Sequence, residues 1–162
     1  MSKRHHVFIS HHHADDAVLS QMVNMLSRNG YDVRNSSIRA KPENQRKLDN
    51  NEIPKKTLER LLRMKISWSS CVVVLIGRDT SKRPWVNWEI QQAREQGKKV
   101  VGVYERGGTD YDVPAAFEDY SNALVNWNTE SIIGAIQGTN TSFEDPSGGD
   151  RTPVNTVAHG TC

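Results

Sequence analysis

Short apolar runs alternate with longer amphipathic segments along the first 137 residues of the chain. The runs have the length of strands, whereas the segments between them carry apolar residues at helical spacing. The run from Cys71 to Ile76 is apolar at every position, as expected of a central parallel strand that is covered on both faces. The pattern predicts strands at residues 6–10, 31–34, 71–76, 99–104 and 123–127, and helices at residues 14–29, 54–67, 85–96 and 129–137.

The alternation of strands and helices predicts an α/β fold. Apolar strands joined through helices favour parallel pairing, so we expect a central, mostly parallel five-stranded sheet with helices on both faces. Ligands of such sheets bind outside the carboxyl ends of the strands. The candidate loops therefore begin at Ser10, Asn35, Gly77, Glu105 and Trp127.

The last part of the chain differs in composition from the rest. Residues 139–162 are rich in Gly, Ser, Thr, Asn and Pro and contain few large apolar residues. Such a segment buries too little apolar surface to offset the entropy that it loses on ordering. We therefore predict one domain over residues 1–138 and a flexible polar tail over residues 139–162.

Composition and charge restrict the possible partners and the cellular location of the protein. The 162 residues contain 21 Lys and Arg against 19 Asp and Glu, and a net charge of +2 does not call for a nucleic-acid partner. No apolar run approaches the length of about 18–20 residues that a membrane span needs. Of the two cysteines, Cys71 lies in an apolar run and is better explained as core than as a nucleophile, and Cys162 ends the tail. We expect a cytoplasmic protein with no nucleic-acid or membrane partner.

Three consecutive histidines, residues 11–13, follow Ser10 at the end of the first predicted strand. Adjacent side chains point apart, and no Cys or carboxylate lies at a ligand spacing, so we expect no metal site. The turn is either a polar cap on the next helix or a place where imidazoles and backbone N–H groups meet a phosphate or ribose. The sequence lacks the GxGxxG, P-loop and GxSxG motifs, which argues against a conventional dinucleotide site, a P-loop or a nucleophile elbow.

The predicted third helix begins with the most informative residues of the chain. Pro84 suits a helix start, and Trp85 and Glu89 lie four residues apart, which places them on one helix face. Trp88 and Ile90 cannot share that face, and at least one of them is expected to point toward the core. Taken alone, Glu89 is either an acid near the helix start, stabilised by the helix dipole, or a chemical group at the ligand crevice.

These segments together resemble a known family. Val7–His12 with Asp15 resembles the opening of TIR (Toll/interleukin-1 receptor) domains, and Ser70–Ile76 followed by Trp85–Ile90 resembles their third strand and the helix that bears their catalytic acid. The combination of Arg83–Val86 with Glu89 and Ile90 is most similar to the TIR-like proteins of bacterial Thoeris anti-phage systems. The resemblance covers about residues 5–137.

The resemblance implies a flavodoxin-like three-layer sandwich and, in the enzymatic members of the family, cleavage of the nicotinamide–ribose bond of NAD. In Thoeris-type members the product is a signalling nucleotide derived from ADP-ribose, which activates a separate effector protein. For this chain the resemblance therefore implies NAD as substrate without a tightly bound cofactor. It also implies self-association, and an effector protein that is reached through a diffusible nucleotide.

The positions of these motifs indicate which residues of this sequence match the functional residues of the family. Glu89 matches the catalytic glutamate, and the segment after the first strand matches one that contacts substrate. The loop from Asn35 onward corresponds to the mobile loop that covers the site, and Trp85 is placed to stack on nicotinamide or adenine. The candidate substrate-binding residues are Ser10, His11, His12, Ser36 and Trp85.

The loop after the second strand departs from the receptor-type pattern. Residues 36–50 are long and basic and lack the short hydrophobic-Pro-Gly sequence of receptor-type TIR loops, which argues against a receptor adaptor. Two other classes of protein stay open. A nucleoside deoxyribosyltransferase-like enzyme would use Glu89 as a covalent nucleophile. A non-catalytic TIR-like interaction module would use Trp85 and Trp88 as interface anchors.

Overall fold

The structure is a computed structural model, and it describes residues 5–11, 16–35 and 55–151. None of the helices in these residues is long and apolar enough to cross a membrane. The strands are β1 (His5–Ser10), β2 (Tyr31–Asn35), β3 (Cys71–Ile76), β4 (Lys99–Tyr104) and β5 (Ala123–Val125). The helices are α1 (Asp16–Arg28), α2 (Lys55–Trp68), α3 (Pro84–Glu95), α4 (Ala115–Asp119) and α5 (Thr129–Gln137).

The five strands form one sheet in the order β2-β1-β3-β4-β5. All four pairs of neighbouring strands are parallel. This is the strand order of the flavodoxin-like doubly wound fold, in which the chain moves outward from the middle of the sheet in both directions. The predicted α/β class, the five strands and the parallel sheet are confirmed.

Each face of the sheet carries its own apolar core because successive side chains of a strand point to opposite faces. On β3, Cys71, Val73 and Leu75 pack toward α1 and α5. The alternate positions of the same strand pack toward α2, α3 and α4. The result is a three-layer sandwich, and the completely apolar sequence of β3 is explained by burial on both faces.

The ends of the elements agree with the prediction at two glycines and differ from it at α4 and β5. Gly30 and Gly97 follow α1 and α3 with φ angles of 85° and 69°, as predicted for residues that end helices. Helix α4 was not predicted, because it has five residues and only Phe117 among them is buried. Strand β5 ends at Val125 instead of Trp127.

The first half of the predicted tail packs against the domain. Leu124 N donates a hydrogen bond to Ser142 O, and Glu144 N donates one to Leu124 O, both at 2.9 Å, so the segment runs beside the outer edge of β5. The Arg151 guanidinium forms an ion pair with Glu118 of α4, and the two side chains are 2% and 0% exposed. Residues 139–151 therefore do not form the free tail that their composition predicts, because backbone hydrogen bonds and one ion pair replace the missing apolar contacts. The remaining residues of the predicted tail, 152–162, lie outside the described residues.

The ion pair gives a test of this packing. We expect Arg151→Met to lower the free energy of unfolding by about 3 kcal/mol, because it leaves the buried Glu118 carboxylate without its cation. Arg94→Met on the exposed end of α3 is the matched control, with an expected change within about 0.5 kcal/mol. Urea denaturation measures both. Equal, small changes would contradict the buried ion pair between Arg151 and Glu118.

The core also makes a chemical prediction at Cys71. This side chain is buried in the sheet, and burial raises the pKa of its thiol to about 12. The thiolate is the reactive form, so iodoacetamide at about pH 8 should leave Cys71 unmodified in the folded protein and should modify it in urea. Mass spectrometry of the peptide that contains Cys71 separates it from the second cysteine. Rapid labelling of the folded protein would contradict the proposed core.

Candidate functional site

The candidate site lies where the sheet changes winding direction. Strands β1 and β3 are neighbours in the sheet. Helix α1, after β1, covers one face, and α3, after β3, covers the other. The carboxyl ends of two such strands leave a crevice between them, which is the usual ligand position in open α/β sheets. Ser10 ends β1 and is one of the candidate residues named from the sequence.

A hydrogen bond between Ser10 and Glu89 lies at this crevice. Ser10 Oγ donates to Glu89 Oε1 at 2.6 Å. Both residues are completely buried. A buried carboxylate loses its hydration, which is unfavourable by several kcal/mol, and hydrogen bonds from buried donors recover part of that free energy. The structure therefore brings together two of the predicted site residues from elements that are distant in sequence.

The position of Glu89 follows from how α3 packs. Val86, Ile90 and Ala93 are buried against the sheet, and Glu89 is part of the same buried stripe. Helix α3 begins at Pro84, so Glu89 lies in its second turn, beyond the range in which the helix dipole stabilises an acid. The explanation of Glu89 as an acid near the helix start does not account for this placement.

The Asn87 side chain fixes the first turn of α3. Its Nδ2 donates to Arg83 O at 3.2 Å and to Ser81 O at 3.4 Å. Its Oδ1 accepts a hydrogen bond of 3.2 Å from Ala116 N at the start of α4. The helix that carries Glu89 is therefore tied both to the preceding loop and to the neighbouring helix.

The other candidate residues after β1 and β2 are only partly described. His11 directly follows Ser10 and is completely buried. His12, His13 and Ser36 lie outside the described residues, and so does the loop of residues 36–50. Of the three histidines, the structure therefore describes only His11, which it buries at the end of β1. Among the residues that it describes, no group of His, Cys, Asp and Glu side chains is arranged to hold a metal ion.

Trp85 lies in a different environment from Glu89. Its ring meets the Trp88 ring edge to face, with 5.4 Å between the centroids. The expectation that Trp88 points away from Trp85 is wrong, because residues three apart on a helix are also neighbours. Ile90 is buried in the core, as expected. The two indoles line a cavity of about 400 Å³ with Lys55 and Gln91, and the described wall of this cavity contains neither Ser10 nor Glu89.

A second cavity lies at the carboxyl ends of β4 and β5. It has a volume of about 450 Å³, and Glu105, Trp127 and Pro146 are among its lining residues. Glu105 and Trp127 begin two of the candidate loops named from the strand ends, but no motif in the sequence marks them as site residues. Only the fold shows that these two loops and residue 146 of the predicted tail meet at one place.

Comparison with known proteins gives a family match. Residues 8–110 match the model of the family described as Thoeris protein ThsB, TIR-like domain. The matched range includes both Ser10 and Glu89 and ends before α4, β5 and α5. The match therefore includes the switch-point crevice, and it leaves out part of the second cavity.

A curated relative and a solved structure are also similar to this chain. A protein of Bacillus cereus (strain MSX-D12), provisionally named cyclic ADP-D-ribose synthase ThsB1, is 31% identical over 104 residues. The match covers 64% of this chain and 52% of the relative, so the chain spans about half of the relative's length. The structure of Clostridium botulinum CMP N-glycosidase, BcmB, has a TM-score of 0.49 and 14% identity, over 82% of this chain and 98% of that chain. A structural similarity of this size supports no inference about function.

The Ser10–Glu89 hydrogen bond can be tested by its contribution to stability. We expect Ser10→Ala to lower the free energy of unfolding by about 1–3 kcal/mol, because a buried carboxylate loses a donor. Ser70→Ala is the matched control, since Ser70 Oγ donates to His6 O at 3.1 Å at an exposed position where water can replace it. Its expected effect is within about 0.5 kcal/mol. Urea denaturation of both variants decides the point, and equal effects would contradict the buried hydrogen bond.

Proposed function

Because the chain belongs to the family of TIR-like domains of Thoeris protein ThsB, we propose that it is an NAD glycohydrolase or cyclase. It cleaves the nicotinamide–ribose bond of NAD and makes a signalling nucleotide derived from ADP-ribose. The observation that carries this proposal is the completely buried Glu89 carboxylate, which Ser10 holds at the switch point of the sheet. The curated relative supports the class of product, because it is named for the synthesis of cyclic ADP-D-ribose.

The reaction needs stabilisation of positive charge more than it needs acid catalysis. When the bond between ribose C1′ and the nicotinamide nitrogen breaks, its electron pair stays on that nitrogen, and nicotinamide leaves as a neutral molecule. The ribose then has oxocarbenium character, as in glycoside hydrolysis. A carboxylate near C1′ stabilises this charge as it forms. One buried glutamate is therefore enough for the first step.

In the proposed mechanism, Ser10 is a positioning residue for Glu89. Its hydroxyl hydrogen bond fixes the orientation of the carboxylate before substrate arrives. A group that is already oriented stabilises the transition state without first having to reorganise. Because Glu89 is completely buried in this structure, the chain around it must open for the ribose and close again to exclude water.

The second step determines the product. Attack on C1′ by water gives ADP-ribose, whereas attack by a group of the same nucleotide gives a cyclic product. When the nucleophile is water or a hydroxyl group of the nucleotide, it forms a bond to C1′ and loses a proton. His11 follows Ser10 in the sequence and is completely buried, and it is our candidate to accept that proton. His12, Ser36 and Trp85 remain candidate substrate contacts.

We propose that the protein acts through its product. A diffusible nucleotide carries the signal to a separate effector protein, so the two proteins need no direct contact. Self-association is expected to accompany activity, and NAD is the small-molecule partner. The family match supports NAD as the substrate and a separate effector, and self-association is part of the same proposal.

The direct test of the function is a pair of substitutions on α3. Glu89→Gln is expected to reduce nicotinamide release from NAD by about 100-fold or more, because it removes the charge that stabilises the transition state. Glu95→Gln makes the same change at an exposed position of the same helix and should keep full activity. Mass spectrometry of NAD, nicotinamide and the second product, at high protein concentration, measures both variants. The mass of the second product separates hydrolysis from cyclisation.

Other outcomes of this experiment would favour one of the competing classes of protein. Equal activity of the two variants would show that Glu89 has no catalytic role. A ribosyl or deoxyribosyl group trapped covalently on Glu89 would favour a deoxyribosyltransferase-like enzyme. Absence of NAD loss at every protein concentration, together with concentration-dependent self-association, would favour an interaction module.

A further inference from the structure

The cavity at the ends of β4 and β5 has the properties of a ligand site of its own. Its volume of about 450 Å³ falls in the range of small-molecule pockets, and it lies at the carboxyl edge of the sheet. Its described wall contains neither Ser10 nor Glu89. We call it the β4–β5 cleft, and the lining residues used below are Glu105, Arg106, Asn126, Trp127 and Pro146.

Three side chains of the cleft differ in chemistry and exposure. Trp127 is 37% exposed, so part of this residue is available to a planar ligand. Arg106 is exposed and is one of the residues that line the cleft. Glu105 is only 7% exposed. The cleft therefore combines an aromatic surface, a cationic group and a buried acceptor.

The backbone at the ends of β3 and β4 holds Glu105 in place. Glu105 N donates to Ile76 O, and Gly108 N donates to Glu105 O, both at 2.9 Å. The Glu105 carboxylate lies against Gly77, where a Cβ atom would collide with Oε2. Gly77 is therefore needed for the buried position of this carboxylate.

The opposite wall is held by the segment that follows α5. Asn126 Nδ2 donates to Glu144 Oε1 at 3.0 Å and to Asp145 O at 2.8 Å. Asn126 N also donates to Glu144 Oε1, at 3.1 Å. These bonds fix the chain just before Pro146, which forms part of the wall. A cleft whose two walls are held in this way is formed before a ligand arrives, which favours binding.

We propose that the β4–β5 cleft binds a nucleoside phosphate. The base stacks on Trp127, because an indole surface accepts any planar base. The phosphate binds the Arg106 guanidinium, whose planar donors match phosphate oxygens. The ribose hydroxyls donate to Glu105, since carboxyl oxygens accept hydrogen bonds.

The nucleoside phosphate has two possible sources. It is either one end of a dinucleotide whose other end reaches Glu89, or a free nucleotide that binds by itself. The first source rests on the proposed function, because it makes the cleft a subsite of the NAD reaction. The second source does not depend on that reaction. The same variants separate the two.

Calorimetric titration of the whole protein with AMP tests the proposal. We expect Trp127→Ala and Arg106→Gln each to weaken AMP binding by about tenfold or more, through loss of stacking and of the phosphate contact. Trp127→Phe keeps an aromatic ring and should retain most of the affinity. Arg94→Gln, at an exposed position on α3, is the charge-matched control and should bind AMP like the unmodified protein. Adenosine and ribose 5-phosphate, which lack one group each, should bind more weakly than AMP.

Glu105 is tested separately because its burial makes it part of the fold. Glu105→Gln is expected to weaken AMP binding by about threefold to tenfold with little change in melting temperature, since the amide keeps the shape of the side chain. The exposed positions Arg106 and Trp127 keep the proposal testable if this variant fails to fold. AMP that does not bind to the unmodified protein, or that binds equally well to Trp127→Ala and Arg106→Gln, overturns the proposal.

Kinetics with NAD then identify the source of the nucleotide. If the cleft holds one end of the dinucleotide, Trp127→Ala raises the KM for NAD. If it holds a free nucleotide, Trp127→Ala loses AMP binding and leaves the KM for NAD unchanged. AMP binding that depends on Trp127 and Arg106 supports the cleft even if the protein releases no nicotinamide, so the cleft and the proposed function fail independently.

Discussion

The arrangement of the candidate site depends on the hydrogen bond from Ser10 to Glu89. This bond joins residues 79 positions apart and connects the end of β1 to the second turn of α3. A buried carboxylate is unfavourable unless its surroundings stabilise it, so the fold must supply donors in fixed positions. The strand order places β1 beside β3, and the buried stripe of α3 turns Glu89 toward that junction. The donor that stabilises the buried Glu89 carboxylate therefore lies in the same crevice where a ligand of this fold would bind.

Most of the fold can be predicted from local patterns. Strand β3 is apolar throughout, and the amphipathic spacing of α1, α2 and α3 is visible without any tertiary information. Helix α4 and the packing of residues 139–151 cannot be predicted in this way. Their stability comes from Phe117 in the core, from hydrogen bonds to Leu124 and from the Arg151–Glu118 ion pair, which all join distant parts of the chain.

The candidate site, too, can be predicted from the sequence only in part. Ser10 and Glu89 are predicted as site residues from the motif at the end of β1 and the motif that opens α3, and the structure brings them into contact. The four-residue spacing of Trp85 and Glu89 does not predict the Trp85–Trp88 contact, which joins residues three apart on the helix. The β4–β5 cleft has no local motif at all. It forms only when Glu105, Trp127 and Pro146, from three separate segments, meet at the edge of the sheet.

We propose that the Glu89 side chain acts on the nicotinamide ribose. The most direct test is an experimental structure of the Glu89→Gln protein with intact NAD bound, since a variant that does not cleave NAD can hold it. We expect the nicotinamide ribose to lie in the crevice between β1 and β3, with its C1′ region in contact with the side chain of residue 89. A nicotinamide ribose bound elsewhere, with residue 89 still buried against Ser10, would contradict the account.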